Sequence, residues 1–412
     1  AEMNQLVKVP MDPADPSVAP EDRFIVAPPV PTTLGENVKG AQWGSEYFAE
    51  YVRQWLLEEF GEEQVYGGGL KVYTTIDLNM QRAAYDAVTS TLDRQGDPSG
   101  SIVAVDDKGQ VKAMMGGTDF KNNELNLATG RDGGGLGRQP GSTFKTFALT
   151  EAVKEGYSIR SVMPAPGKIE ITDPVCLNGE KKWTVRGGPG ATASLVSATK
   201  NSMNTVFAQL MVRLGPDAVA KTAVDMGVKS LEGQDPRCAW VLGAGEVSVL
   251  DMASGYSTFA DRGEHIDPYV IRRVESADGE VLFDASSDVK GEQVIPTEVA
   301  DTVNSVLSGV LQKGTGKGAN IGVVAAGKTG TTTDSKDAWF AGYTCHLTSV
   351  VWMGYEQPKA METFRGEEVS GGTWPATIWA DFMSEATADD AECDFPTTDA
   401  GERLVNQPLS GQ

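Results

Sequence analysis

The chain has 412 residues, of which 40% are hydrophobic and 8% aromatic, a composition that suits a folded protein of two or three domains. Its 35 basic and 57 acidic residues give a net charge of -22, which argues against nucleic-acid binding because such proteins concentrate Lys and Arg. No apolar run approaches the roughly 20 residues that span a bilayer, and the sequence does not open with a signal peptide, so the chain itself is expected to be soluble.

The N-terminal part of the sequence predicts a linker followed by a few regular elements. Residues 1–40 are rich in proline and acidic residues, which indicates an extended linker rather than a folding unit. Residues 46–60 have helical periodicity, and Gly61 is the predicted C-terminal cap. A short strand over residues 70–75 and a helix over residues 78–92 are predicted next.

Residues 101–105 and 110–114 predict a β-hairpin around the turn sequence DDKG. A polar, glycine-rich stretch then leads to Pro140 and Gly141, which break the chain just before a helix predicted over residues 143–153. Ser142 and Lys145 therefore lie on one face of the first turn.

The pair Ser142 and Lys145 predicts a nucleophile and its base. A serine hydroxyl becomes a good nucleophile when a base takes its proton, and lysine can do so only when it is neutral. Burial, the positive end of the helix and a second nearby cation would each lower the pKa of Lys145. Alone, the pair fits a helix cap with a surface lysine better than a catalytic site.

The tripeptide Ser202-Met203-Asn204 lies between two helical patterns, residues 193–199 and 205–214. A loop at this point predicts that both polar side chains line a cleft. Ser202 would relay a proton between Lys145 and a leaving nitrogen, and Asn204 would orient Lys145 and bind substrate. Alone, the tripeptide also fits an ordinary cap for the following helix.

The third motif has two interpretations. Residues 322–329 match the phosphate-binding pattern of nucleotide hydrolases, and residues 102–106 resemble an apolar strand that ends in a magnesium-binding aspartate. A phosphate loop must open a helix. Here residues 323–326 predict a strand, and residues 331–335 lead into another strand, so the context opposes nucleotide binding.

The favoured interpretation is an edge strand that borders the cleft. Gly330 is predicted to leave room for a substrate along the backbone. Lys328 and the hydroxyls of Thr329 and Thr331 are predicted to hold a carboxylate. The backbone N–H groups of Ser142 and Thr331 would then form an oxyanion hole.

Residues 338–343 and 348–353 predict a second hairpin, residues 374–386 a closing helix, and the segment after Cys393 a loosely structured tail. Strands near both ends with helices between them predict a sheet assembled from distant segments and packed against helices.

The cysteine spacing matches no zinc pattern and the chain has only two histidines, so no metal site and no cofactor are predicted. The even number of cysteines permits two disulfides, and four free thiols remain an equally good alternative on the residues alone. The cysteines are Cys176, Cys238, Cys345 and Cys393.

Together the three motifs resemble the transpeptidase module of class A penicillin-binding proteins. The nucleophile segment, residues 137–145 (GRQPGSTFK), is similar to that family's, as are residues 328–332 (KTGTT) and 336–344 (KDAWFAGYT). Residues 69–77 (GLKVYTTID) resemble the family's entry into this domain, and residues 242–260 resemble the helix between the second and third motifs.

The resemblance implies an α+β chain with the penicillin-binding protein/β-lactamase-like transpeptidase fold. That fold has an antiparallel sheet packed by helices, together with a helical subdomain. The implied organisation is a linker and interdomain region over residues 1–68, a transpeptidase domain over residues 69–390 and a tail over residues 391–412.

The implied activity is that of a D,D-transpeptidase which cross-links peptidoglycan. Ser142 would attack the D-Ala–D-Ala bond of one stem peptide, and an amine of a neighbouring stem would resolve the acyl-enzyme. β-Lactams would acylate Ser142 as covalent inhibitors. The family's place on the outer face of the cytoplasmic membrane favours disulfides, and the implied pairs are Cys176–Cys238 and Cys345–Cys393.

Family members carry a membrane helix and a glycosyltransferase domain ahead of this module, and this sequence contains neither. We therefore expect a truncated chain that lacks glycan-polymerising activity, and a full-length protein that is membrane-anchored.

Three alternatives stay open at this point. A class A β-lactamase has a Glu-x-x-Leu-Asn segment for deacylation, and the context of Glu246 does not fit it. A D,D-carboxypeptidase differs only in accepting water instead of an amine, and the sequence does not separate the two. A non-enzymatic β-lactam sensor or cell-wall-binding module is disfavoured by the three intact motifs.

Overall fold

A computed structural model describes residues 24–25, 42–134, 137–177 and 179–401. The α-helices are α1 (Glu46–Gly67), α2 (Leu78–Thr91), α3 (Lys145–Lys154), α4 (Leu195–Lys200), α5 (Asn204–Leu214), α6 (Pro216–Asp225), α7 (Val249–Ala260), α8 (Ala285–Asp288), α9 (Thr297–Lys313) and α10 (Trp374–Ala386). The strands are β1 (Phe24–Ile25), β2 (Lys71–Thr74), β3 (Ser99–Asp106), β4 (Val111–Met115), β5 (Val162–Ala165), β6 (Lys168–Ile171), β7 (Trp183–Arg186), β8 (Ala191–Ser194), β9 (Glu264–His265), β10 (Ile271–Glu275), β11 (Val281–Asp284), β12 (Glu292–Gln293), β13 (Ala326–Thr331), β14 (Asp337–Tyr343), β15 (Leu347–Gly354), β16 (Thr363–Phe364) and β17 (Glu367–Glu368).

A five-stranded antiparallel sheet in the order β13-β14-β15-β3-β4 forms the centre of the fold. Both predicted hairpins, β3–β4 and β14–β15, are confirmed. Val103 of β3 pairs with Val350 of β15, so the sheet joins distant segments as predicted. Every residue of β14 and β15 is buried, because helices cover both faces of the sheet.

Two aromatic contacts show which helices cover which face. The ring of Phe340 lies 5.1 Å from that of Trp379 in α10. Tyr343, three positions later on the same strand, stacks on Phe259 of α7 at 6.3 Å. Residues an odd number of positions apart in a strand point to opposite faces, so α10 covers one face and α7 the other. This arrangement confirms the α+β class.

The helical subdomain surrounds the helix that follows the first motif. α3 packs against α5, α6 and α9, and nine of its ten residues are buried. Two small two-stranded sheets, β5–β8 and β6–β7, border α5. Other elements of the subdomain therefore surround α3 on most sides.

A second, four-stranded sheet in the order β1-β2-β10-β11 joins two strands from the N-terminal part of the chain to two strands that follow α7. Apart from the two residues of β1, the predicted linker over residues 1–40 lies outside the described residues. Gly61, the predicted C-terminal cap, has a non-helical φ of 74° and ψ of 165°, so a first helical segment of α1 ends there and a second one continues to Gly67. Glycine adopts this positive φ without the steric cost of a side chain.

Two local predictions are wrong. The strand predicted over residues 323–326 begins only at Ala326, which pairs with the last residue of β14, and Val323 is 56% exposed in a bend before it. The described part of the tail, residues 394–401, has no regular secondary structure but is packed against the rest of the protein. Phe395 packs edge-on against Tyr343, and Asp399 accepts a hydrogen bond from the Ser158 hydroxyl at 2.6 Å.

Candidate active site

The first motif begins as a 3-10 turn, Gly141–Phe144, that continues directly into α3. The turn is tight because both the N–H and the hydroxyl of Thr143 donate to the Pro140 carbonyl, at 3.3 and 2.7 Å. Ser142 is half-buried at the cleft, whereas Lys145 is fully buried. The sequence thus places an accessible hydroxyl one turn ahead of an inaccessible amine.

The amine of Lys145 contacts the second motif rather than the first. Its Nζ donates to the Ser202 carbonyl at 2.7 Å and to Asn204 Oδ1 at 2.6 Å, and it lies 3.2 Å from Ser202 Oγ. A neutral amine has two N–H donors and one lone pair, so the two carbonyl-type acceptors use both donors. Within the described ranges the Ser142 hydroxyl forms no hydrogen bond, so none joins it to Lys145.

The second motif occupies a tight corner between α4 and α5. Ser202 adopts a positive φ of 53°, and Asn204 is the first residue of α5. The Asn204 N–H donates to the Gly187 carbonyl at 3.1 Å, which ties the corner to the neighbouring loop. The prediction of a loop that presents both side chains holds for Ser202, whereas Asn204 is held by its helix.

The hydroxyl of Ser202 joins the three motifs, because it lies between two amines. Lys328 Nζ is 3.0 Å from Ser202 Oγ on one side, and Lys145 Nζ is 3.2 Å away on the other. Lys328 also donates to the Thr329 carbonyl at 2.9 Å. A hydroxyl both donates and accepts, so this one can pass a proton between the amines.

Burial sets the electrostatics of both lysines. Burial, and secondarily the charge of Lys328, lowers the pKa of Lys145 well below its ordinary value of 10.5. Burial lowers the pKa of Lys328 to about 7. No carboxylate forms an ion pair with either amine in the part of the chain that the structure describes. Burial and the neighbouring cation therefore both favour the neutral form of Lys145.

The third motif is β13, the predicted edge strand of the central sheet. Thr331 Oγ1 accepts a hydrogen bond from the Gly371 N–H at 3.0 Å. Gly330 also has a structural role that the sequence did not predict. A Cβ at Gly330 would clash with the Pro140 carbonyl and lie 2.9 Å from the Thr143 methyl group. The glycine therefore lets the strand approach the Gly141–Phe144 turn, which we call the nucleophile turn after its predicted nucleophile Ser142.

The same close approach brings together the segments that carry the predicted oxyanion donors, Ser142 and Thr331. A Cβ at Gly141 would lie 2.7 Å from the Thr331 nitrogen. The chain also packs against Gly141 from behind, where any Cβ on Gly243 would clash with the Gly141 backbone. The nucleophile turn is therefore wedged between β13 and the segment around Gly243.

A disulfide between Cys176 and Cys238 lies next to this wedge, and a second joins Cys345 to Cys393; these are the pairs that the resemblance implied. Cys238 opens the 3-10 turn Cys238–Leu242, which ends directly at Gly243. Within the described residues, no group of three or more His, Cys, Asp or Glu side chains is placed to hold a metal ion.

The sequence analysis did not identify the side chains that hold the segment around Ser142, residues 137–143, in place. We call this segment the nucleophile loop. Arg138 is only 3% exposed, and its guanidinium donates to the carbonyls of Tyr355 and Glu356 at 3.1 and 2.9 Å. The same guanidinium stacks over Trp352 at 4.7 Å. The signal was an arginine inside an otherwise small and polar segment, four residues before the serine.

Two aromatic side chains hold the same loop. Trp339 Nε1 donates to the Gln139 carbonyl at 2.8 Å, and the Tyr256 hydroxyl donates to the Thr143 carbonyl at 2.9 Å. Both come from buried core elements, β14 and α7, so the position of the loop is set by the core. Their spacing along the sequence gives no indication of these contacts.

Replacing Arg138 by Met is expected to lower the free energy of unfolding by about 3 kcal/mol, because two partly buried carbonyls lose their donor and Trp352 loses its stacked cation. The matched control is Arg131→Met, since Arg131 is exposed and only pairs with Glu246 at the surface. Urea unfolding of both variants measures the difference. Equal midpoints for the two would show that Arg138 does not hold the loop.

No helix in the described ranges is both long and apolar enough to cross a membrane.

Comparison with known sequences finds relatives of one kind. A family model described as the penicillin-binding protein transpeptidase domain matches residues 100–372. The chain is 34% identical over 407 residues to penicillin-binding protein 1A of Mycobacterium tuberculosis, an alignment covering 92% of this chain and 48% of that protein. It is also 34% identical over 396 residues to the protein of the same name from Mycolicibacterium smegmatis, an alignment covering 90% of this chain and 48% of that protein. The chain thus spans about half the length of these curated relatives.

Solved structures agree in fold. The structure of the penicillin-binding protein PonA1 from Mycobacterium tuberculosis superposes with a TM-score of 0.76 at 34% identity, covering 89% of this chain and 99% of that one. The same protein solved in complex with penicillin V gives a TM-score of 0.75 at 33% identity, covering 89% of this chain and 100% of that one.

Proposed function

The chain belongs to the family of penicillin-binding protein transpeptidase domains, and from this membership we propose that it is a serine D,D-transpeptidase acting on peptidoglycan stem peptides. The single observation that best supports this chemistry is the Ser202 hydroxyl held between the buried amines of Lys145 and Lys328. Such a relay serves a reaction in which a proton leaves a nucleophile and reaches a departing nitrogen.

In the proposed acylation step, Ser142 Oγ attacks the carbonyl carbon of the penultimate D-Ala. The new C–O bond forms as neutral Lys145 takes the hydroxyl proton. The amide C–N bond then breaks, and the departing D-Ala amine receives a proton from Ser202, which recovers one from Lys145. The backbone N–H groups of Ser142 and Thr331 stabilise the oxyanion, while Lys328, Thr329 and Thr331 hold the terminal carboxylate.

The acyl-enzyme is resolved by an amine of a neighbouring stem. The amine nitrogen forms a C–N bond and gives up one proton to neutral Lys145. The C–O bond to Ser142 breaks, and Lys145 passes that proton to the departing Ser142 Oγ. With a β-lactam, ring opening leaves the departing nitrogen attached to the adduct, where it obstructs the incoming amine. We therefore propose β-lactams as covalent inhibitors with slow release.

The site disfavours a class A β-lactamase. Glu246, the glutamate considered for water activation, forms an exposed ion pair with Arg131 at 2.9 Å. A carboxypeptidase would use the same groups with water as acceptor, so the acceptor has to be tested directly.

The test supplies a stem peptide ending in D-Ala–D-Ala together with an amine acceptor and follows the products by mass. We expect D-Ala release with an amide product that increases with amine concentration, and a lasting one-to-one adduct with penicillin. Hydrolysis alone at all amine concentrations would identify a carboxypeptidase. Rapid turnover of the penicillin adduct would identify a β-lactamase.

The cellular setting is also a proposal. We place the domain on the outer face of the cytoplasmic membrane, where its substrate is found, as the transpeptidase half of a membrane-anchored protein that also carries a glycosyltransferase domain. The two disulfides fit this oxidising location.

Acylation is expected to require neutral Lys145, so its rate constant should rise as pH passes the lowered pKa of that amine. Lys328→Met removes the neighbouring charge, which raises the pKa of Lys145 and shifts the rise to higher pH. The shift should be seen below about pH 7, where Lys328 is charged. The profile of the penicillin acylation rate measures it, with the exposed Lys221→Met as control. An unshifted midpoint in Lys328→Met would contradict the coupling.

A further inference from the structure

The hydroxyl of Thr315 lies beside the third motif and has no role in the proposed mechanism. Thr315 lies in the turn after α9, and its Oγ1 is 2.7 Å from Thr329 Oγ1. Thr315 is exposed, whereas Thr329 is only 5% exposed. The turn is held in place by a hydrogen bond from the Thr315 N–H to the Lys200 carbonyl at 3.0 Å. The outer hydroxyl is thus fixed against the inner one at the surface of the cleft.

A count of protons shows that this pair is available to a ligand. Two hydroxyls carry two protons, and their mutual hydrogen bond uses one of them. Neither hydroxyl has a further acceptor among the described residues, so one O–H proton is left over. The left-over proton makes the pair a donor toward any acceptor that enters from the cleft.

The spacing of the two hydroxyls suits one class of acceptor. Two donors side by side match the two oxygens of a carboxylate, as in bidentate pairing with a guanidinium. A carboxylate can replace the mutual hydrogen bond by two charge-assisted ones. A neutral ester oxygen gains much less from the same exchange, because it carries no charge.

The neighbouring loops support this use of the strand. Thr331, two positions along the same face of β13, already accepts the Gly371 N–H and so has its own proton free. The loop of Gly371 touches the turn of Thr315, since a Cβ at Gly372 would clash with the Thr315 carbonyl. Both turns therefore pack along one face of β13 and hold its hydroxyls in place.

We propose that Thr315 is a further substrate-binding residue, which donates with Thr329 to the terminal carboxylate of the stem peptide or β-lactam. This inference rests on the proposed function, which places that carboxylate along β13. It adds a residue from a different part of the chain, the turn after α9, to the recognition of the D-Ala terminus.

The test compares Thr315→Val with the wild type on two ligands, a penicillin with a free carboxylate and its methyl ester. We expect the second-order acylation constant for the free acid to fall about tenfold, the value of one charge-assisted hydrogen bond, and that for the ester to change less than about twofold. Thr315→Ser should restore the free-acid rate. Thr377→Val, an exposed threonine on α10, is the matched control.

Two other outcomes would contradict this inference. An equal loss on both ligands would show that Thr315 only supports the turn, and no loss on either would show that Thr329 and Thr331 act without it. Wild-type protein that gains no adduct from either ligand would instead contradict the proposed function itself.

Discussion

Ser142→Ala is expected to abolish the covalent penicillin adduct while leaving the fold intact. The hydroxyl is the only group in the nucleophile turn that the proposed chemistry consumes, so no slower route to the adduct remains. Its loss should not destabilise the protein, because the hydroxyl forms no hydrogen bond within the described ranges. Intact-mass measurement after incubation with penicillin reads out the adduct, and thermal unfolding reads out the fold.

The control for this experiment is Ser90→Ala, an exposed serine on α2. It should be acylated to the same extent as the wild type. A stoichiometric adduct on folded Ser142→Ala protein would show that another residue is the nucleophile. Ser202 would then be the next serine to replace.

Lys145→Arg is expected to lower the acylation rate by about a thousandfold, within the range that general-base catalysis supplies. Arginine keeps a cation and several N–H donors for Ser202 and Asn204, but it does not give up its proton at any accessible pH. The variant therefore removes the base and keeps the donors. Stopped-flow labelling with a fluorescent penicillin measures the rate.

Lys145→Met is the companion variant, because methionine fills similar space without a charge or a donor. It should be as inactive as Lys145→Arg and should also lose the hydrogen bonds to Ser202 and Asn204. Lys154→Met, on the same helix but bound to Glu151 near the surface, is the control. Acylation of folded Lys145→Arg within tenfold of the wild type would contradict the role of this amine as base.

The sequence predicted the elements that carry the three motifs because each motif is bounded by strong local signals. Pro140 and Gly141 mark the entry to the first helix, and the apolar runs over residues 338–343 and 348–353 mark the strands beside β13. The order of these elements along the chain also indicated a sheet that joins its two ends. Local signals of this kind depend on a few adjacent residues, so they can be recognised without knowledge of the fold.

What the sequence did not predict depends on contacts between distant segments. The close approach of Gly330 to the Pro140 carbonyl was not predicted, because the two residues are almost two hundred positions apart in the chain. The direct contact of Lys145 is with the second motif, and no spacing within the first motif reveals it. The packed tail was missed for the same reason, since Phe395 finds Tyr343 only in the folded core.

The pairing of β3 with β15 has a consequence for how the protein is made. These strands lie about 250 residues apart in the chain, and β13 reaches the sheet only through β14 and β15. During synthesis the nucleophile helix therefore emerges long before the strand that completes its cleft, and β3 must wait with one edge unpaired. Such long-range pairing is slow and exposes an aggregation-prone edge. A chain that ends before β15 is thus expected neither to be labelled by penicillin nor to remain free of aggregation, whereas the 412-residue chain is expected to do both.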